Sequence, residues 1–349
     1  MLQETADVNV QQAIAKVISG EHLTRPEATS VMTEVMEGKA TSAQIGSLLT
    51  ALRMKGESID EITGFAAAMR AKSNRVHTMQ DGLLDTCGTG GSGLHKFNIS
   101  TASAIIAASQ GVRVAKHGNR AMSGRTGSAD VLEALGVNIS INSEQASACL
   151  DEVGLCFLFA QLYHPSMKHA AGPRKEIGFR TVFNLLGPLT NPAGADRQLM
   201  GIFDLTKTET VARVLQQLEL KRAMVVGSHD GLDEISLSAP TRISELKDGE
   251  IRTYDITPDI LGLKAYNINE ISGGTPEVNA DIIKRVFLGE RGAYRDIVLA
   301  NAGACIYLSE GCTSLREGVE LAAGAIDNGA AYNKLNQLIQ YTGELSHVS

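Results

Sequence analysis

The stretch Asp85-Thr86-Cys87-Gly88-Thr89-Gly90-Gly91-Ser92-Gly93, followed by Asn98-Ile99-Ser100-Thr101, reads as a strand, a glycine-rich turn and the start of a helix. That order of parts builds an anion site. Glycines let the backbone come close to a ligand and take up positive φ, and the free N–H groups of a helix N-terminus favour phosphate. The expected ligand is therefore phosphorylated. The loop is read as neither a P-loop, since no Gly-Lys-Ser/Thr follows, nor a dinucleotide fingerprint. A simple tight turn is the alternative that the loop alone leaves open.

Around this stretch the chain alternates short apolar strands with Ala-rich helices. Strands are expected at 83–86, 112–115, 155–160, 199–203 and 223–226, and helices at 101–109, 129–135 and 206–218. Such alternation implies a largely parallel sheet covered by helices. The segment 241–255, with Lys247-Asp248-Gly249-Glu250 at its middle, predicts an antiparallel hairpin. From Pro276 onward the chain returns to helix, and the weak polarity of 297–308 predicts a buried one.

Residues 1–75 carry helix signals and almost no strand signals, with capping boxes at Thr24/Glu27, Thr41/Gln44 and Ser58/Glu61. Three short helices follow from that spacing. Apolar positions such as Ile14, Val17 and Ile18, then Ile45, Leu48, Leu49 and Leu52, recur at helical intervals. The expected organisation is α/β: a small all-helical N-terminal domain (1–75) and a large α/β domain (80–349) with a central, mostly parallel sheet. The helical domain is the expected oligomer surface, joined by helices from about 164–180.

With 349 residues the chain has room for a large core and two domains. A hydrophobic content of 43% and charge of 20% describe an ordinary globular protein. A net charge of −7 argues against general affinity for nucleic acid or anionic membrane, so any phosphate site must be local. No run of about 18 apolar residues appears, and Met1-Leu2-Gln3-Glu4-Thr5 lacks the basic and apolar regions of a signal peptide. A cytoplasmic location is the expectation. The five cysteines form no CxxC and are read as reduced, mostly buried thiols, with Gly154 ending the helix that carries Cys149 before Cys156. Cys87, beside the glycine loop, is read as a packed strand residue rather than a nucleophile.

Lys116-His117-Gly118-Asn119-Arg120 follows the strand at 112–115, which places cations and an amide at a strand's carboxyl end, where open parallel sheets bind ligands. Ser123-Gly124-Arg125-Thr126-Gly127-Ser128 adds backbone and hydroxyl donors before the next helix. Asp230-Gly231-Leu232-Asp233-Glu234 follows the strand at 223–226. Its paired carboxylates suit Mg²⁺, which often bridges to substrate phosphates, although such a pair taken alone is more often solvated surface. His164 and His169 are five apart and do not share a helix face as a metal pair. Arg174 can hold a carboxylate in a bidentate fork.

Together these segments resemble the anthranilate phosphoribosyltransferase family of tryptophan biosynthesis, within the nucleoside phosphorylase-like phosphoribosyltransferases. The resemblance runs through Gly88-Thr89-Gly90-Gly91, Phe97-Asn98-Ile99-Ser100-Thr101, Lys116-His117-Gly118-Asn119-Arg120, Gly127-Ser128-Ala129-Asp130, Met167-Lys168-His169, 183–189 and Asp233-Glu234. It implies a homodimer and a Mg²⁺-dependent transfer between phosphoribosyl pyrophosphate and anthranilate, with no covalent nucleophile. Carried over by position, Gly88, Gly91, Ser92, Lys96, Asn98, Ile99, Ser100, Thr101, Lys116, Asn119, Arg120 and Ser128 would contact phosphoribosyl pyrophosphate. Gly88, His117, Asn119, His164, Arg174 and Pro188 would surround anthranilate. Ser100, Asp233 and Glu234 would serve Mg²⁺.

Two departures stand out. The family usually carries Asp where this chain has Ser92 and Thr where it has Lys96, and both changes make the loop less negative. Weaker accessory Mg²⁺ binding and easier pyrophosphate binding are the expected consequences. A pyrimidine nucleoside phosphorylase is similar in fold, but its loop normally reads Lys-His-Ser-Thr-Gly-Gly and phosphorolysis gives Asp233 and Glu234 no role. A non-catalytic nucleic-acid-binding relative would need an extended basic surface, of which a chain at −7 gives little sign.

Overall fold

The computed structural model describes residues 8–78, 81–91, 93–121 and 126–345. Its N-terminal part is a helical bundle of α1 (Val10–Ile18), α2 (Arg25–Met36), α3 (Ser42–Lys55) and α4 (Ile59–Ala71). The capping boxes read at Thr24, Thr41 and Ser58 open α2, α3 and α4. An additional one, Asn9 with Gln12, opens α1, which makes one helix more than the three expected. In each box the side-chain oxygen accepts an otherwise orphaned N–H and fixes where the helix begins.

The second part follows as β1 (Leu84–Gly88), α5 (Ile99–Ser109), β2 (Val114–Gly118), α6 (Ser128–Leu135), α7 (Ser143–Val153) and β3 (Leu155–Phe159). After β3 come α8 (Ala160–Tyr163), α9 (Lys168–Ile177), α10 (Phe183–Leu186), β4 (Arg197–Gly201), α11 (Thr208–Gln217) and β5 (Arg222–Ser228). The hairpin β6 (Thr241–Lys247) and β7 (Glu250–Ile256) precedes α12 (Pro276–Phe287), α13 (Ala293–Leu308), α14 (Leu315–Asp327) and α15 (Ala330–Glu344). The strands lie in the order β3-β2-β1-β4-β5-β6-β7. The first five run parallel, and β6 and β7 are antiparallel. The hairpin turns at Asp248 (φ 53°) and Gly249 (φ 78°), the two positive values that a two-residue turn of matching twist needs.

Alternation along the strands divides the interior in two. Leu199, Met224, Val226 and Ile243 face a core shared with α5, α7 and α13 to α15. Met200, Ile202, Val225 and Leu246 face the other way, into a core continuous with α1 to α4 and α11. The helical bundle is thus fused to one face of the sheet, and α9 packs against α2 and α3. Cys149 lies in α7 and Cys156 in β3, separated by Gly154 in the left-handed conformation, as expected.

Because the five parallel strands share a direction, their carboxyl ends meet at one edge. The chain leaves β1 for β2 on one side, and β4 lies on the other, so the connections diverge at β1 and open a crevice there.

Candidate active site

The carboxyl ends of β1, β2 and β3, the loop after β5 and the segment from α8 to α10 surround a cavity of about 740 Å³. Residues from both predicted anion loops line it, together with the acid pair, His117, His164 and Arg174. The placement follows from topology: each loop leaves a parallel strand at the same edge.

The glycine loop leaves β1 with Gly90, Gly91 and Gly93 at positive φ. At Gly91 (φ 86°) a Cβ would also come within 2.6 Å of the Arg180 guanidinium, which donates to the Gly91 carbonyl. Ser92 lies outside the described residues, as do 122–125 of the second loop. Gly88, Gly90 and Gly93 stand at the G-x-G-x-x-G spacing, yet the loop is not built as a dinucleotide fingerprint. In that motif the last glycine opens the helix, whereas α5 begins only at Ile99.

Asn98 stands at the N-cap of α5 without making a side-chain capping bond, which leaves the helix end available to a ligand. Its amide is held instead by Asn279 of α12, which donates to Oδ1 at 2.9 Å, and by the Thr126 carbonyl, which accepts from Nδ2 at 3.3 Å. Thr126 in turn donates to the Gly274 carbonyl at 2.7 Å. At the start of α6 the Ser128 hydroxyl donates to the Asn119 carbonyl, and Asp130 accepts the N–H groups of Ala121 and Gly127. These bonds tie Asn119, Ala121 and Gly127 to the first turn of α6.

The four predicted cations do different things. Buried Lys116 bridges β2 to the Thr86 carbonyl of β1 and the Ser100 hydroxyl at 3.2 Å. Arg120 pairs with Asp130 and Glu133 and lies above the Phe159 ring. Lys96 sits between Asp233 and Glu234, 2.9 Å from each. Arg174 lies over the Phe183 ring at 4.8 Å and has no carboxylate partner among the described residues. Burial lowers its pKa, as expected for a cation without compensation.

Asp233 and Glu234 are buried, at 2% and 6% exposure. The loop that carries them is closed by Asp230, which accepts from the Leu232 N–H and the Ser236 hydroxyl. Asn301 of α13 brackets the next residue, accepting from the Ile235 N–H and donating to its carbonyl, both at 3.0 Å. Gly201 at the end of β4 is what lets the loop come so close, since a Cβ there would strike the Asp233 carbonyl. Burial raises the Glu234 pKa, an effect opposed by Lys96.

The donor set fits Mg²⁺. It offers hard carboxylate oxygens already adapted to a cation, since an ammonium lies between them. No group of three or more His, Cys, Asp or Glu residues placed to hold a metal occurs among the described residues. That also suits Mg²⁺, which uses one or two carboxylates and completes its shell with water and substrate phosphates. The third predicted metal residue, Ser100, accepts from Lys116.

The rings of His117 and His164 lie with their centres 5.1 Å apart and their planes tilted by 56°. Burial, and for His117 the neighbouring His164, holds His117 down to about 3; burial holds His164 at about 4. Both imidazoles are therefore neutral near pH 7, and the buried Nε2 atom of each has no hydrogen-bond partner among the described residues. Pro188, whose carbonyl accepts from Gln198 at 2.7 Å, lines the cavity with them. Cys87 packs in β1, where burial raises its thiol pKa far above 9.0, so no thiolate is available.

Sequence reasoning missed Arg180 and Asn279. Arg180 follows a helix stop at Gly178 in a stretch without periodicity, and Asn279 is one amide in an ordinary amphipathic helix. Only the fold reveals that both touch the anion loops.

A family profile described as "Glycosyl transferase family, a/b domain" matches residues 80–332, and one described as "Glycosyl transferase family, helical bundle domain" matches 11–73. An anthranilate phosphoribosyltransferase of Brevibacillus brevis is 54% identical, covering 97% of this chain and 99% of the relative. One from Acetivibrio thermocellus is 49% identical, covering 95% and 96%. The crystal structure of the Thermus thermophilus enzyme superposes with a TM-score of 0.90 at 42% identity, covering 95% of this chain and 99% of that one. The Saccharomyces cerevisiae enzyme, solved in complex with phosphoribosyl pyrophosphate and Mg, gives 0.87 at 26%, covering 96% and 98%. With its helical bundle, its α/β domain and this cavity between the parallel strand ends, the chain belongs to the anthranilate phosphoribosyltransferases.

Proposed function

We propose that the cavity binds phosphoribosyl pyrophosphate against the glycine loop, the N-termini of α5 and α6, Lys116 and the acid pair, and anthranilate against Arg174, His117, His164, Asn119 and Pro188. The observation that carries this reading is a division of charge within one cavity. Helix ends and an acid pair suited to a metal-bound diphosphate share it with an uncompensated guanidinium suited to a carboxylate.

The products are N-(5-phosphoribosyl)-anthranilate and pyrophosphate. Asp233 and Glu234 would hold Mg²⁺, which when bound would offset the charge on the departing pyrophosphate. The helix ends orient the diphosphate and Arg174 fixes the aromatic acid by its carboxylate, so that the amine faces the ribose C1 where positive charge develops. Neutral His117 and His164 present acceptor-capable nitrogens without adding a cation beside that carbon. No side chain attacks covalently, in keeping with the protonated Cys87.

The expected assembly is a homodimer through the helical domain, where Ile18 and Met54 are 70% and 83% exposed. Light scattering that gave a monomer at micromolar concentration would exclude it. The reaction is tested by following anthranilate fluorescence on mixing with phosphoribosyl pyrophosphate and Mg²⁺. Consumption that requires both, and collapses in Asp233→Ala/Glu234→Ala, is expected; its absence in a folded protein would overturn the assignment.

A further inference from the structure

Lys96 is held in a way that separates its backbone from its charge. The segment around it pairs with 271–273: Lys96 bridges Ser272, the Gly273 N–H donates to the His95 carbonyl at 2.7 Å, and Phe97 donates to Ile271. Phe97, 1% exposed, anchors the next position and meets the Tyr294 ring edge-on at 5.1 Å. From this fixed base a flexible four-carbon stem carries the ammonium to both carboxylates of the acid pair.

The ammonium therefore stands where the carboxylates would otherwise present their full negative charge to a divalent ion. Two buried carboxylates without a counter-ion would be strongly unfavourable, and the lysine reduces their joint charge from −2 to −1. A bare divalent cation must displace or share with it. A diphosphate arriving with the cation changes the balance, because its oxygens offer Lys96 new partners as the carboxylates are given up.

We propose that Lys96 is a resident counter-cation of the Asp233/Glu234 pair, which keeps the free protein from binding divalent metal and transfers to the diphosphate of the substrate when metal and substrate enter together. Lys96 is thereby a positioning residue that couples the two ligands, each favouring the other's binding. The inference rests on the proposed function for the diphosphate, but its first half concerns the ligand-free chain alone.

The test uses the full chain with Mn²⁺ alone, read by the electron paramagnetic resonance of the free ion, and inorganic pyrophosphate alone, read by calorimetry. Lys96→Met keeps the length of the stem and removes the charge. It is expected to bind Mn²⁺ about tenfold tighter or more, and pyrophosphate about tenfold weaker, than the unmodified protein. Adding Asp233→Asn to Lys96→Met should abolish the gained Mn²⁺ affinity. Equal Mn²⁺ affinity in the unmodified and Lys96→Met proteins would overturn the proposal, as would tight binding that survives Asp233→Asn. Unchanged pyrophosphate affinity would overturn the transfer to substrate. Lys96→Thr, checked for folding by its melting curve, gives the same readings should the methionine variant not fold. Neither measurement depends on turnover, so a chain that gates Mn²⁺ but consumes no anthranilate would sink the proposed function and leave the counter-cation standing.

Discussion

The guanidinium of Arg174 lies 4.8 Å from the centre of the Phe183 ring, and no carboxylate among the described residues pairs with it. The ring fixes the orientation of a charge that the described residues leave uncompensated. If anthranilate supplies the missing carboxylate, Arg174→Ala removes a charge-assisted contact worth about 1.5–3 kcal/mol, or roughly tenfold to a hundredfold in kcat/KM. The loss should fall on the KM for anthranilate and spare that for phosphoribosyl pyrophosphate. Arg174→Lys should recover little, because an ammonium cannot form the fork. An equal rise in both KM values would place Arg174 outside the acceptor site.

Gly91 combines a φ of 86° with a guanidinium within 2.6 Å of where its Cβ would be. Gly91→Ala is expected to strain the loop by about 1 kcal/mol and to push Arg180 aside. Steady-state kinetics should then show a raised KM for phosphoribosyl pyrophosphate with a melting temperature shifted by only a few degrees, since Gly91 is only half-buried and Gly90 and Gly93 are exposed. Arg180→Ala in the same chain should restore part of the loss by relieving the contact but not the φ. No effect of Gly91→Ala on that KM would argue that the loop lies away from the substrate.

The pair His117 and His164 gives a pH signature. Both are held below the ordinary histidine value of 6.5, to about 3 and about 4. Between those values and 6.5 the unfolded chain binds protons that the folded chain refuses. Stability present above pH 6.5 is therefore lost as the pH falls toward 4, with up to about 1.4 kcal/mol per pH unit from each imidazole. His117→Gln and His164→Gln should each flatten the slope of unfolding free energy over pH 4–6.5, measured by urea titration. Buried carboxylates such as Asp85 and Glu234, with raised pKa, act in the opposite sense, so the difference from the unmodified protein is the quantity to compare. A slope unchanged by either substitution would show that the imidazoles already carry protons in the fold.

Much of this arrangement is legible before folding because local rules carry it. Thr24, Thr41 and Ser58 open helices as their spacing predicts, and the strand ends at Gly88 and Gly118 run a little past the apolar stretches, into residues whose hydropathy gives no strand signal. What sequence could not show is which distant charges meet. The resemblance places Lys96 with the phosphoribosyl donor, yet its ammonium rests on Glu234, 138 residues away. Arg120, also expected to hold the donor, pairs with Asp130 and Glu133 on the neighbouring helix. Such pairings are decided by the crossing of loops at the sheet edge, for which neither periodicity nor turn chemistry carries a signal.

Asn301 illustrates the same point and yields the last prediction. It is fully buried in α13 and brackets Ile235, donating also to the Ile297 carbonyl of its own helix at 2.9 Å. Asn301→Ala leaves the Ile235 N–H and carbonyl without partners in a dry environment, at a cost of about 2–4 kcal/mol. The residue following the acid pair then loses its side-chain tether to α13, so the carboxylates should lose their fixed spacing as well. The expected result is a lower melting temperature together with a higher Mg²⁺ concentration for half-maximal rate, while the KM for anthranilate stays close to that of the unmodified protein. Asn301→Asp should be no milder, because it keeps the acceptor but loses the donor and adds a buried charge. A stability loss with an unaltered Mg²⁺ requirement would mean that Asp230 and Gly201 hold the acid pair in place without help from α13.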